Sequence, residues 1–193
     1  MLPTERMLNR RGVLGAGAAL AAALCCRPWP MLRRAIAEPT PASGPPRHMA
    51  LGTWQVIAAV QELLLPPDDL GPGASDVNAI GYLDAVLGEP GLEPEVAPRL
   101  KSGAERLDRL CRQHHRRPFV GLDVALRERA LLELDGQPEG RAWITELLGF
   151  LLEALLGDPA RGANPDELGW KWLGYEPPLP RPPHPGWQPR ESS

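Results

Sequence analysis

Side chains able to do chemistry are few in this sequence, and their spacing matches no catalytic or ligand-binding pattern. The 193 residues include four His and three Cys. A metal site needs such residues at ligand spacing, but His48 and His184 stand alone, and the adjacent His114-His115 would point to different faces of a helix. Covalent haem attachment needs C-x-x-C-H, which does not occur, and the thiols are too few for an iron-sulfur cluster. The run GPGASD lies before a helix but lacks the following Lys and preceding strand of a phosphate loop. That argues against nucleotide or flavin binding by this chain itself. Ser75 and Ser102 have no elbow-type glycine frame. Asp68-Asp69 falls in a turn, where Asp bonds nearby backbone amides. An independent enzyme would have to draw its acid and base from Asp68, Asp69, Asp84, Asp158, His114 and His115, which form no recognisable constellation. The expectation is a chain without catalytic residues, cofactor or metal.

The N-terminus carries an address in place of chemistry. In LNRRGVLGAGAALAAALC, Arg10-Arg11 precedes an apolar run of about 15 residues, where a spanning helix needs about 20. This is the pattern of a twin-arginine export leader. The small-x-small site Ala35-Ile36-Ala37 marks cleavage, so residues 1–37 are read as signal peptide. Cys25 and Cys26 fall inside it, leaving Cys111 as the thiol of the mature chain. Cys111 lies on the apolar stripe of its helix, where a thiol is usually an inert small hydrophobe. A leftover thiol in an oxidising compartment also suggests pairing with another chain, so burial and an intersubunit disulfide both stay open.

The elements that would position these residues are helices. Leu and Ala between Pro and Gly breaks, with 5% aromatics, favour helix over strand. Net charge is −3 without a basic stripe, which argues against a nucleic-acid partner; Arg116-Arg117 is read as a solvated helix end. EPTPASGPP makes residues 38–50 a flexible Pro-rich linker. A first helix, with Val56, Val60, Leu63 and Leu64 at helical spacing, stops at Pro66-Pro67. Ser75 or Asp76 would N-cap a second, striped by Ile80, Leu83 and Leu87. A third runs from about Ala97 to His114 and a fourth from about Phe119 to Leu134, with Arg127, Glu128 and Arg129 on its exposed side. The fifth has the broadest stripe, Trp143, Ile144, Leu147, Leu148, Leu151, Leu152, Leu155 and Leu156, wide enough for a central helix contacted by several others. Beyond Gly157 periodicity ends in a Gly-, Pro- and Trp-rich segment. The fold expected is an all-α, single-domain bundle of about five helices over residues 51–178, with an extended C-terminal arm and a Pro-rich tail at 179–193.

Two blocks carry a family resemblance. ELLLPPDDLGPGASDVNAIGYLD resembles the N-terminal half of the gluconate 2-dehydrogenase subunit 3 family, and GDPARGANPDELGWKWLGYEPP is similar to its C-terminal signature. The resemblance implies a small, non-catalytic subunit of a periplasmic, membrane-associated dehydrogenase held at the outer face of the inner membrane. It further implies a flavoprotein large subunit carrying FAD that oxidises sugars, polyols or sugar acids, and a multihaem cytochrome c subunit carrying haem c. In such assemblies the large subunit often lacks a leader and crosses with the small one, after folding, through the twin-arginine translocation machinery. An escort needs a recognition surface, and aromatic residues flanked by turns are good anchors. Trp170, Trp172, Tyr175 and Trp187 are the expected interface, with Cys111 as a possible covalent link. Trp170 and Tyr175 would equally serve to cap the core beneath them. The rival reading is an independent periplasmic all-α binding or chaperone module.

Overall fold

The computed structural model describes residues 45–69 and 71–176. Arg10, Arg11, Ala35, Ala37 and Trp187 lie outside the described residues. Among the described residues six α-helices follow one another: α1 Leu51–Leu64, α2 Ala79–Val86, α3 Val96–His115, α4 Val124–Asp135, α5 Pro138–Leu156 and α6 Leu168–Leu173. Short 3₁₀ turns occupy Phe119–Gly121, Pro159–Arg161 and Pro165–Glu167, and no strand occurs among the described residues. The sixth helix lies in the segment expected to be an extended arm. At six residues it is too short for periodicity to reveal.

α5 is the central element, packed against each of the other five helices. Trp143, Ile144, Leu147, Leu151 and Leu155 are buried along it, as its stripe requires. One edge of that stripe behaves differently: Leu152 and Leu156 stay exposed beside the buried Leu151 and Leu155. Pro138 opens α5 at a position where a missing N–H costs nothing. α3 runs antiparallel to it. Arg99 pairs with Glu146 at 2.9 Å and Arg106 with Glu139 at 3.5 Å. Between these pairs the buried Trp143 donates its indole N–H to the Leu100 carbonyl at 3.1 Å. Leu100, Ala104, Leu107 and Cys111 form the buried stripe of α3.

Three local expectations are corrected. Neither Ser75 nor Asp76 caps α2: Asp76 accepts from the Gly73 N–H at 2.8 Å, and the Ser75 N–H donates to Glu62 at 2.9 Å. Both serve the turn that leads from α1, and α2 opens at Asn78 in the left-handed conformation, φ 55. The fourth helix does not begin at Phe119. The chain makes a 3₁₀ turn there, extends at Leu122 and Asp123, and starts α4 with Asp123 accepting from the Leu126 N–H at 2.9 Å. Arg127 is not on an exposed side; it is half-buried, bonds the Phe119 and Val120 carbonyls and lies 5.9 Å from the centre of the Phe119 ring. Burial lowers its basicity from the usual value.

The linker also ends earlier than expected. The Arg47 and His48 N–H groups donate to the two oxygens of Asp84, at 2.8 and 3.0 Å. The His48 ring packs against Gly88, leaving no room there for a side chain. Residues from Pro45 onward are therefore strapped to α2.

Candidate functional site

Of the titratable residues an enzyme would draw on, Asp68, Asp84, Asp158 and His114 each have a local partner. Asp84 is buried beneath the N-terminal strap, where both oxygens take backbone N–H groups. It borders an open cavity of about 490 Å³ with Trp54, His48 and Asn78. Asp158 accepts from the Ala160 N–H at 3.0 Å and starts a 3₁₀ turn. His114 is exposed at the far end of α3, 3.4 Å from Glu133. Asp68 bridges to Gly71 in the turn after α1. Among the described residues no group of three or more His, Cys, Asp or Glu could hold a metal, and no helix is long and apolar enough to cross a membrane.

Cys111 is fully buried and free. Burial, with Asp108 and Glu133 nearby, pushes its thiol up to about 11. Of its two readings the structure shows burial. As an interface residue it is corrected, since a bond to another chain would require α3 to leave the core.

The structure brings together the two sequence blocks at the C-terminal end of α5. Asn78 of the first donates its side-chain N–H to the Gly162 carbonyl of the second at 3.1 Å. The Trp172 ring lies against Gly71, where an added Cβ would sit 2.5 Å from Nε1. Burial between α1 and this turn raises the pKa of Glu62 above the usual carboxylate value, against the pull of the Ser75 N–H.

Asn164 organises the second block. It is fully buried with φ 46, a left-handed conformation that Asn tolerates. Its Oδ1 accepts from the Gly169 N–H at 2.6 Å and its Nδ2 donates to the Gly157 carbonyl at 3.2 Å. One amide thus joins the end of α5 to the start of α6. Gly169 permits the contact, because a Cβ there would lie 1.9 Å from the Leu155 carbonyl oxygen. The Trp170 indole N–H donates to the Leu156 carbonyl at 2.7 Å, satisfying a helix-end acceptor. Gly174, at φ 66, closes α6 as the Tyr175 N–H returns to the Trp170 carbonyl at 2.8 Å.

These bonds sort the expected anchors. Trp170 is only 8% exposed and caps the end of α5, the second of the two roles expected of it. Trp172 and Tyr175 are 38% and 50% exposed, and Tyr175 meets Trp170 edge to face at 5.6 Å. Leu156, Trp170, Leu173 and Tyr175 surround a shallow hollow of about 340 Å³. Sequence reasoning missed Leu152 and Leu156 as surface residues. The signal was the width of the α5 stripe, too broad for the helices available to cover.

The family model described as Gluconate 2-dehydrogenase subunit 3 matches residues 52–177, from the first turn of α1 to just beyond α6. No curated protein and no solved structure matches the chain.

Proposed function

The chain belongs to the gluconate 2-dehydrogenase subunit 3 family, and from that premise we propose that it is the small, non-catalytic subunit of a periplasmic FAD-dependent sugar, polyol or sugar-acid dehydrogenase. In this reading it escorts the folded, flavin-containing large subunit through the twin-arginine route, using Arg10-Arg11 as the address for both chains. FAD then belongs to the large subunit and haem c to a multihaem cytochrome subunit, which together hold the assembly at the outer face of the inner membrane. The observation that carries the reading is the family match across residues 52–177, which takes in both interlocked blocks. The structural tasks of Asp84, Asp158 and Cys111 support a non-catalytic role.

The test is co-expression with the large subunit, with and without Arg10-Arg11→Lys-Lys, followed by assay of periplasmic flavin and dye-linked dehydrogenase activity. Escort predicts that both proteins and the activity reach the periplasm only with the arginines intact. A flavoprotein that arrives regardless and does not copurify would leave an independent periplasmic helical protein as the better account.

A further inference from the structure

Burying apolar surface is the main favourable term in folding, so large apolar side chains grouped in water mark a place that something else covers. The face at the C-terminal end of α5 is such a place. Leu156, Leu173 and Tyr175 are 44%, 37% and 50% exposed and, with Trp170, surround the hollow of about 340 Å³. The Trp170 indole N–H already serves the Leu156 carbonyl, so what this wall offers is apolar ring surface.

The path of the chain names the occupant. Gly174, at φ 66, turns the backbone so that the Tyr175 N–H returns to the Trp170 carbonyl and the two rings meet edge to face. Tyr175 thereby forms a wall of the hollow, and the described residues stop one position later, at Glu176. The next seven residues, 177–183, read PPLPRPP. An extended proline-rich run rises about 3.1 Å per residue, which puts Leu179, the first large aliphatic side chain after Tyr175, within about 12 Å of it. Trp187, at about 37 Å along the same path, would have to double back.

The chemistry of this run suits the hollow. Five of the seven residues 177–183 are Pro, which carry no N–H, so laying the run on an apolar surface strands few donors. Proline-rich segments dock on aromatic-lined grooves because their backbone is ordered in advance. A tethered segment also meets its site at an effective concentration on the order of mM, whereas a second copy or another protein must give up its free translation and rotation.

We infer that residues 177–183 fold back over the face between α5 and α6 and seat Leu179 among Leu156, Leu173 and Tyr175. The first part of the Pro-rich tail is then the outer cover of α6. The inference stands independently of the subunit reading.

The experiment uses the purified full chain. Benzoylphenylalanine, which keeps the position apolar, is placed at position 179 or, for comparison, at position 190, and the photoproducts are mapped by mass spectrometry. The expected result is products of monomer mass that join position 179 to Leu156, Leu173 or Tyr175, in higher yield than from position 190. Amide exchange is then compared between wild type and Leu179→Asp, a change beyond the last helix of the bundle. Exchange in α6 should be at least ~threefold faster in the variant, with α3 unchanged. Products only of dimer mass, products only elsewhere on the chain, equal yields at the hollow from positions 179 and 190, or equal α6 exchange in the two proteins would overturn the inference.

Discussion

The indole of Trp143 occupies the space that a side chain at Gly103 would need: a Cβ there would lie 2.2 Å from Trp143 Cδ1. The same indole bonds the Leu100 carbonyl one turn earlier, so the crossing of α3 and α5 is fixed by one glycine and one tryptophan.

Gly103→Ala should therefore destabilise the bundle by about 1–3 kcal/mol, although Ala is the better helix former. Gly149→Ala, in the same kind of helical position but with nothing within 4 Å of its Cβ, should stabilise by about 0.5–1 kcal/mol. Thermal melts of the two variants measure both signs. A Gly103→Ala protein as stable as wild type would contradict the close crossing.

Asn164→Ala removes two hydrogen bonds and leaves the Gly169 N–H and Gly157 carbonyl unpaired. The expected loss is about 2–6 kcal/mol, from penalties of about 1–3 kcal/mol for each of the two groups. The damage should be local. Amide exchange of α6 should accelerate well before that of α3 or the first half of α5, whereas uniform acceleration would show that the C-terminal block is not a separate unit.

The Cys111 thiol should be silent in the native protein. Its pKa, about 11 when folded against an ordinary 9.0, means the fold favours the neutral form. That stabilising contribution is fully present below pH 9 and is lost as pH rises from about 9 through about 11. Denaturant melts at pH 8 and pH 10.5 should show lower stability at the higher pH, with a smaller difference in Cys111→Ala. Ellman's reagent at pH 8 should react at the rate of unfolding; immediate reaction would place the thiol at the surface.

Gln61 is an internal cost. It is 1% exposed, and neither atom of its amide has a hydrogen-bond partner among the described residues. Gln61→Met, of similar length, should raise stability by about 1–2 kcal/mol. A lower melting temperature would show that the amide is satisfied in solution.

Legibility followed the length of the periodic run. α5 could be read because Trp143, Ile144, Leu147, Leu151 and Leu155 repeat over several turns, and α1 because Pro66-Pro67 ends it. α6 could not, because its position depends on the Asn164 amide and the Gly169 notch, contacts with residues that sequence spacing does not reveal. Arg127 was misread for a related reason: its guanidinium bonds the Phe119 and Val120 carbonyls of a 3₁₀ turn and lies over the Phe119 ring, contacts that helical spacing does not reveal. At the candidate site, the importance of the Trp-rich segment was visible. Which of its aromatics face inward was not, since Trp170 and Trp172 differ only in the side of α6 they occupy.

The face at the end of α5 is assembled from two elements of unequal anchorage, a helix in the middle of the core and a six-residue helix tied to it by the Asn164 amide and the Trp170 indole. It exists only while α6 is seated. Anything that binds there binds the closed form alone, so by thermodynamic linkage its binding free energy is added to the local stability of α6 and to little else. Occupancy of this face would hold α6 against local opening to a degree set by the concentration and affinity of what binds.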